Sequence, residues 1–285
     1  MRKPKLVALD LDGTLLDSDK RLSKENDLVL ARAAGEGVTV VPATGRFYEA
    51  MPEEIRRLPY VRYVIEVNGA GVVDLETGEK LVRADIPWDE AVAIMEVLDG
   101  CDVIYDCFSG GQAFMGRAHY DRIPEFAPDR HYYKMLTELR QPVDDLKAFL
   151  RETKRPIQKT QFFFRDMDLR ARLLKEFPAR FSGYTVTSSV VNNIEITHKN
   201  ANKGHALTAL GTALGIDVAD SMAFGDDLND VPMLLAAGVG VAMANAGPEA
   251  KAAADLIAPS NDENGVAIVL ARVLWGTQRG GKDAL

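Results

Sequence analysis

The sequence predicts an α/β protein: a doubly wound, mostly parallel sheet interrupted by an inserted α+β domain. Three observations carry this. Short apolar runs alternate with helical patterns near both ends of the 285-residue chain, the rhythm of βαβ units and their parallel strands. Between them, from about Asp85, hairpin signals replace that rhythm. Several strand ends also stop in polar clusters, and open parallel sheets bind ligands at that edge.

The first strand, Leu6–Leu9, is a wholly apolar run that ends in Asp10 and Asp12, with Gly13 to turn the backbone. Residues two apart share a strand face, so the two carboxylates begin on the same side. Held close, they repel and need a cation or a shared proton; the plainer alternative is a surface turn with solvated acids. Ser23 then caps a helix whose Leu28, Ala31 and Ala34 line one face, and Gly35 and Gly37 stop it. A strand over 38–43 runs into Thr44-Gly45-Arg46, and one over 63–67 into Asn68-Gly69-Ala70-Gly71. A hairpin over 74–80 turns at Gly78.

The inserted stretch begins with a helix over 88–98 and strands over 102–108 and 112–115, joined by Ser109-Gly110-Gly111. A loop-rich aromatic segment follows, containing His119, Tyr120, Phe126, His131, Tyr132 and Tyr133. Helices over 143–151 and 169–177 bracket a strand over 157–164, and strands Tyr184–Thr187 and 193–197 close the region. Domain boundaries are placed at 1–83, 84–189 and 190–285. The βα alternation resumes with a helix capped by Asn202, with Leu207, Leu210 and Leu214 on one face. A strand over 221–224 ends in Gly225-Asp226-Asp227-Leu228-Asn229-Asp230, and a helix over 228–237 follows. Val239–Met243, a helix opened by Pro248, Leu256–Ala258 and a helix over 266–275 complete the pattern. The tail from Thr277, with Gly280 and Gly281, is expected to fray.

Composition narrows the partners. A hydrophobic fraction of 47% and a charged fraction of 27% are ordinary for a soluble globular protein. No run approaches the roughly 20 apolar residues of a membrane span, and the basic start lacks a signal-peptide core. Cys101 and Cys107 are the only cysteines, which fits a reducing, cytoplasmic setting. The net charge of −8, with no basic stripe, argues against nucleic acid. An anionic substrate would need a local lysine or a metal.

The polar clusters suit phosphoryl chemistry. Asp10 can attack a phosphorus centre as a carboxylate nucleophile. Asp12 can serve as acid and then base, a role that calls for a pKa above the ordinary value of about 3.9. Thr44 and Gly45 offer a hydroxyl and a backbone N–H to phosphate oxygens, although Thr-Gly is also a common turn dipeptide. Lys203, in the first turn of a helix, opposes the macrodipole unless a phosphate sits there; a plain surface lysine is the alternative. The acids Asp226 and Asp227 supply hard oxygens suited to Mg²⁺. A carboxylate and a phosphate dianion repel by about 4 kcal/mol at ~4 Å and an effective dielectric of about 20. Mg²⁺ held by Asp10, Asp12 and Asp226 would cancel that repulsion and polarise the phosphoryl group. Asn229 can bond the phosphate or orient Asp10; alternatively Asn229 and Asp230 cap the following helix.

Asp10-Leu11-Asp12-Gly13-Thr14, Thr44-Gly45-Arg46, Asn202-Lys203-Gly204 and the 225–230 stretch resemble the four motifs of the haloacid dehalogenase (HAD) superfamily. Asn68-Gly69-Ala70 and the long insertion look like its Cof-type branch (class IIB). The resemblance covers the whole chain and implies a Rossmann-like core with an α/β cap of the C2 kind. It implies Asp10 as nucleophile and metal ligand, and Asp12 as acid/base with its backbone carbonyl on the metal. The Leu11 N–H, Thr44, Gly45, Lys203 and Asn229 would hold the phosphate. Asp226 would complete the Mg²⁺ site, with Asp227 in an outer shell. An aspartate at position 12 points to hydrolysis, because ion-pumping relatives carry a different residue there.

The expectation is a Mg²⁺-dependent phosphomonoester hydrolase acting on a small phosphorylated metabolite, a sugar phosphate foremost, as a monomer or small homo-oligomer. A cofactor-precursor phosphatase, a phosphosugar mutase or transferase, and a phospholigand-binding protein without turnover are the alternatives. His119, Tyr120, His131 and Tyr132 are cap candidates for contacting the leaving group, with packed aromatics and surface histidines the favoured alternative.

Overall fold

The structure, a computed structural model, describes residues 2–127 and 129–276, and of His131 the backbone alone. The tail from Thr277, with Gly280 and Gly281, lies outside the described residues. The strands are β1 (Leu6–Leu9), β2 (Thr39–Pro42), β3 (Tyr63–Glu66), β4 (Gly71–Asp74), β5 (Lys80–Arg83), β6 (Val103–Ser109), β7 (Gln112–Gly116), β8 (Arg140–Val143), β9 (Lys159–Phe164), β10 (Tyr184–Thr187), β11 (Asn193–His198), β12 (Ser221–Gly225), β13 (Val239–Met243) and β14 (Leu256–Ala258). They fall into two compact units.

The first unit comprises Met1–Arg46, Met51–Val82 and the chain from Asn202 onward. Its sheet runs β14-β13-β12-β1-β2, every pair parallel. β1 lies between β12 and β2, Leu9 beside both Phe224 of β12 and Pro42 of β2. Its four residues are fully buried, and a strand covered on both faces reads as an unbroken apolar run. Bridges Val40↔Val61 and Ala43↔Ile65 continue the sheet to β3, which pairs antiparallel with β4.

The helix Lys24–Gly35 is capped by Ser23 as the sequence predicts, but it buries Asn26, Leu30 and Ala33 and leaves Leu28 58% exposed. Asn26 sets that rotation. Its amide donates to the Leu15 carbonyl at 3.2 Å and accepts from the Ala267 N–H at 3.0 Å. A buried amide must be hydrogen-bonded, and an apolar pattern does not register that demand.

The second unit is the inserted α+β domain, Arg83–Ala201, together with the short Phe47–Ala50 segment. Its sheet runs β10-β11-β9-β6-β7-β8. Because β11 pairs antiparallel with both β9 and β10, the unit extends to Ala201 rather than stopping at 189. One sheet face packs Tyr105, Phe162, Phe164 and Ile194 in a core that also takes Met95, Leu150 and Phe177 from the helices Trp88–Glu96, Leu146–Thr153 and Met167–Arg180. The other face carries a smaller cluster around Ile104, Phe126, Leu136 and Phe163.

The segment read as loop-rich holds three helices, Arg117–Tyr120, Ile123–Phe126 and Arg130–Leu139. Asp129 caps the last of these, accepting from the Tyr132 N–H at 2.7 Å. The helix expected from residue 143 starts instead at Leu146, because Arg140–Val143 pairs in parallel with β7.

Candidate active site

Parallel pairing aligns the C-terminal ends of β1 and β12, and Asp10 and Asp226 follow those ends. The Asp10 N–H donates to the Phe224 carbonyl at 3.0 Å, continuing the ladder by one residue. Lys203, the first residue of the Lys203–Leu214 helix, is fully buried. Its Nζ donates to Asp10 Oδ1 at 2.5 Å and to Asp230 Oδ1 at 2.6 Å. The other oxygen of Asp230 accepts from the Asp226 and Asp227 N–H groups at 2.9 and 3.1 Å. Asp230 therefore does more than cap a helix: it fixes Lys203 and the loop bearing Asp226.

Thr14 Oγ1 donates to Asp226 Oδ1 at 2.6 Å. Gly13, at φ +92°, lets Asp226 come so close that a Cβ there would stand 2.4 Å from Asp226 Oδ2. Asp10, Asp226 and Asp230 each offer a carboxylate oxygen within 4.8 Å of the others. Three carboxylates thus face one ammonium, and the surplus of negative charge shows in the titration. Burial, reinforced by Asp230 and Asp226, pushes the Asp10 carboxyl up despite Lys203. Burial likewise pushes Asp226 up, to about 6, with Asp230 and Asp227 adding to it against the Thr14 hydrogen bond. For Lys203, burial works against the charge but Asp10 and Asp230 outweigh it, so it remains an ammonium.

The donor set fits a hard divalent cation: all ligands are oxygens, and the surplus charge is what an ion would neutralise. Asp10 and Asp226 would hold it directly. Both oxygens of Asp230 are already hydrogen-bonded.

The Asp12 side chain is not in that cluster. Its carboxylate accepts from Arg46 Nε and Nη2, each at 3.0 Å, and pairs with Lys20 Nζ at 3.0 Å. Burial alone would raise its pKa, but Arg46 and Lys20 together hold it below the ordinary value. This is the opposite of the elevated pKa that a general-acid role calls for, and its cause is two cations, Arg46 and Lys20, that the sequence does not place beside Asp12. Asp227 is exposed and accepts from the Leu228 N–H at 2.7 Å in a capping box, which occupies the carboxylate expected in a metal's outer shell.

Thr44 is buried, and its Oγ1 accepts from the Arg46 N–H at 3.2 Å, which leaves the hydroxyl proton to donate. Leu11 is fully buried, its carbonyl accepting from the Leu16 N–H at 2.9 Å. Asn229 is exposed and donates to Asn68 Oδ1 at 3.0 Å.

In the inserted domain, His119 Nδ1 accepts from the Tyr105 N–H at 3.0 Å, and burial holds the imidazole below its ordinary pKa. Tyr120 donates its hydroxyl to the Thr137 carbonyl at 2.9 Å, and Tyr132 packs edge-on to Phe163. These three act within the domain's own packing; the side chain of His131 lies outside the described residues. What the sequence reading missed there is a buried polar set on one sheet face: Asp106, Gln161 and Glu195 sit side by side on β6, β9 and β11, beside Lys159 and Arg140. The signal was present, since β9 reads Lys-Thr-Gln-Phe-Phe-Phe and is buried throughout.

A family model for haloacid dehalogenase-like hydrolases matches residues 7–270. Phosphatase YwpJ of Bacillus subtilis is 33% identical, over 95% of this chain and 100% of its own. The B. subtilis 5-amino-6-(5-phospho-D-ribitylamino)uracil phosphatase YcsE is 29% identical, over 92% of this chain and 93% of its own. A solved structure of a haloacid dehalogenase-like hydrolase from B. subtilis aligns over 93% of this chain and 98% of its own, with 31% identity and a TM-score of 0.74. The chain belongs to the haloacid dehalogenase-like hydrolase family. Within it, the chain is an enzyme of the phosphatase class, with an acidic cluster fit for a metal ion.

Proposed function

We propose that the chain is a Mg²⁺-dependent phosphomonoesterase for a small phosphorylated metabolite, with sugar phosphates the leading class. The observation that carries this is the Asp10–Lys203–Asp230 triad beside Asp226: a carboxylate at a strand end, oriented by a buried ammonium, in a site with surplus negative charge.

Lys203 engages Asp10 Oδ1, which leaves Oδ2 to attack phosphorus. The P–O bond to the leaving group breaks as the new Asp10–phosphoryl bond forms, and the departing oxygen takes a proton from Asp12. A water then attacks the same phosphorus and gives its proton to Asp12, which releases phosphate and restores Asp10. In the arrangement described above, Asp12 is ionised and suited to that second step. Its acid form arises as the substrate dianion approaches, because a like charge raises a carboxyl pKa. Thr44, Gly45, the Leu11 N–H and Asn229 would hold phosphoryl oxygens. Mg²⁺, held by Asp10 and Asp226, would offset the repulsion between nucleophile and phosphate and polarise the phosphoryl group.

Phosphate release across a panel of sugar, sugar-alcohol and nucleotide monophosphates, with Mg²⁺ and with EDTA, tests this reading. Absence of Mg²⁺-dependent release across the panel would sink it. In ¹⁸O-water the released phosphate should carry label; unlabelled product with a phosphorylated second metabolite would establish a transferase instead. The name of YcsE motivates a second arm, a phospho-ribitylamino-pyrimidine substrate. No helix among the described residues is long and apolar enough to cross a membrane, and we assign the enzyme to the cytoplasm.

A further inference from the structure

The Val67–Gly69 turn, between β3 and β4, holds three successive residues at positive φ: Val67 at 49°, Asn68 at 54° and Gly69 at 95°. Val67 is β-branched and buried, and for such a side chain this conformation is a true outlier. Strained backbone persists only where its surroundings over-determine it. Here they do. The Val67 N–H donates to the Arg46 carbonyl at 3.0 Å and the Asn68 N–H to the Thr44 carbonyl at 2.9 Å. On the far side, a Cβ on Gly69 would lie 2.3 Å from the Asn202 carbonyl oxygen and 2.9 Å from the Lys203 nitrogen. Only glycine allows the turn to press against the start of the Lys203–Leu214 helix.

This wedge puts the Asn68 carboxamide among the residues assigned to the phosphate. A Cβ on Gly45 would sit 3.0 Å from Asn68 Oδ1 and 3.4 Å from its Nδ2, so the amide lies against Gly45. Its Oδ1 accepts from Asn229 Nδ2 at 3.0 Å. An amide has one acceptor and two donors. The Asn68 acceptor is engaged, while among the described residues its two N–H donors have no protein partner, and the side chain is half-exposed.

We infer that Asn68 is a further phosphate-binding residue: its Nδ2 donates to a phosphoryl oxygen, while its Oδ1 fixes the bearing of Asn229. The chemical class recognised is a phosphate oxyanion, which needs donors and rejects a carboxylate at the same place. The inference rests on the phosphatase reading above.

Asn68→Gly and Asn68→Asp test it. Glycine removes the amide and also relieves the left-handed backbone, so it keeps or raises the melting temperature. Asparate tolerates the same backbone but replaces donors with a negative acceptor. With p-nitrophenyl phosphate as substrate, Asn68→Gly is expected to weaken competitive inhibition by inorganic phosphate and lower kcat/KM by about 10- to 100-fold, the size of a hydrogen bond to a charged group. Asn68→Asp is expected to lose more than Asn68→Gly. In an Asn229→Ala background the effect of Asn68→Gly should shrink, because the two amides act together.

A folded Asn68→Gly protein with unchanged phosphate inhibition overturns the inference, as does an Asn68→Asp no worse than Asn68→Gly. A wild type without Mg²⁺-dependent hydrolysis overturns the phosphatase reading instead. Calorimetric binding of inorganic phosphate to wild type and to both variants then still decides the role of Asn68: equal affinities refute it.

Discussion

The two units each bury a set of charges, and the sets are balanced differently. In the inserted domain, Asp106 pairs with Arg140 at 2.8 Å and Glu195 with Lys159 at 3.1 Å, two carboxylates against two cations. Gln161, Ser189 and Asn193 donate to the same carboxylates, and the two cations flank the Phe108 ring. Burial would raise the Glu195 pKa, but Lys159 and its other donors outweigh this and lower it. In the first unit, three carboxylates meet one ammonium, and the same burial leaves Asp10 and Asp226 raised. Burying charges is tolerable where the fold itself pairs them. The unbalanced set is the one that calls for something the chain does not supply. That locates the chemistry more firmly than acidity alone. The balanced set has a loose end, Asp106 Oδ1, which is buried without a hydrogen-bond partner among the described residues.

The largest expected effect would break or sharpen this contrast. Asp10→Asn should lower kcat by at least about 10⁴-fold, the scale of losing a nucleophile. In EDTA the same variant should melt no lower than wild type, since it removes surplus charge. A clearly lower melting temperature would show that the site is balanced as it stands. Asp106→Ala, in contrast, strands Arg140 and should cost about 3–5 kcal/mol in urea unfolding. A loss below about 1 kcal/mol would mean that the inserted domain's pairs hold nothing together.

Metal binding should be visible in stability, and its pH dependence has a definite sign. Carboxyls raised in the fold bind more protons folded than unfolded, so metal-free stability falls as pH rises. The fall starts near the unfolded value of 3.8, passes about 6 for Asp226 and continues upward for Asp10. A bound Mg²⁺ would replace those protons. The stabilisation on adding Mg²⁺, read as a rise in melting temperature, should therefore be larger at pH 8 than at pH 5.5, about 2.7 kcal/mol of unfolding free energy at a hundredfold excess over Kd. A larger gain at pH 5.5 would contradict the assignment of Asp10 and Asp226 as ligands. The smallest effect belongs to the surface: Arg151→Ala removes an exposed pair with Glu96 and should leave the unfolding midpoint essentially unchanged.

Much of the core was legible before any coordinates. The run into Asp10 and Asp12, the Thr44-Gly45 turn, the capped helix beginning at Lys203 and the Gly225-Asp226 strand end all lie where their local patterns put them. Other readings failed for identifiable reasons. The 189 boundary cut off β11 because strand pairing is a contact between distant segments, which a composition shift does not reveal. The Arg130–Leu139 helix has a capping aspartate but no simple aliphatic stripe. Asp230 reads equally well as a cap, and only its contact with Lys203, 27 residues away, gives it a second role.

The sequence by itself determined the main alternation of strands and helices in the first unit, its caps and turns, and which acids end which strands. Those follow from hydrogen bonding and side-chain period within a few residues. The charge state of the site was decided by the tertiary structure. Asp10 meets Lys203 across 193 residues, and Asp12 meets Arg46 across 34. Electrostatic energy depends on separation in space and on burial, and neither is written in local pattern. The sequence placed two carboxylates at the end of β1. Folding raised one toward protonation and held the other ionised.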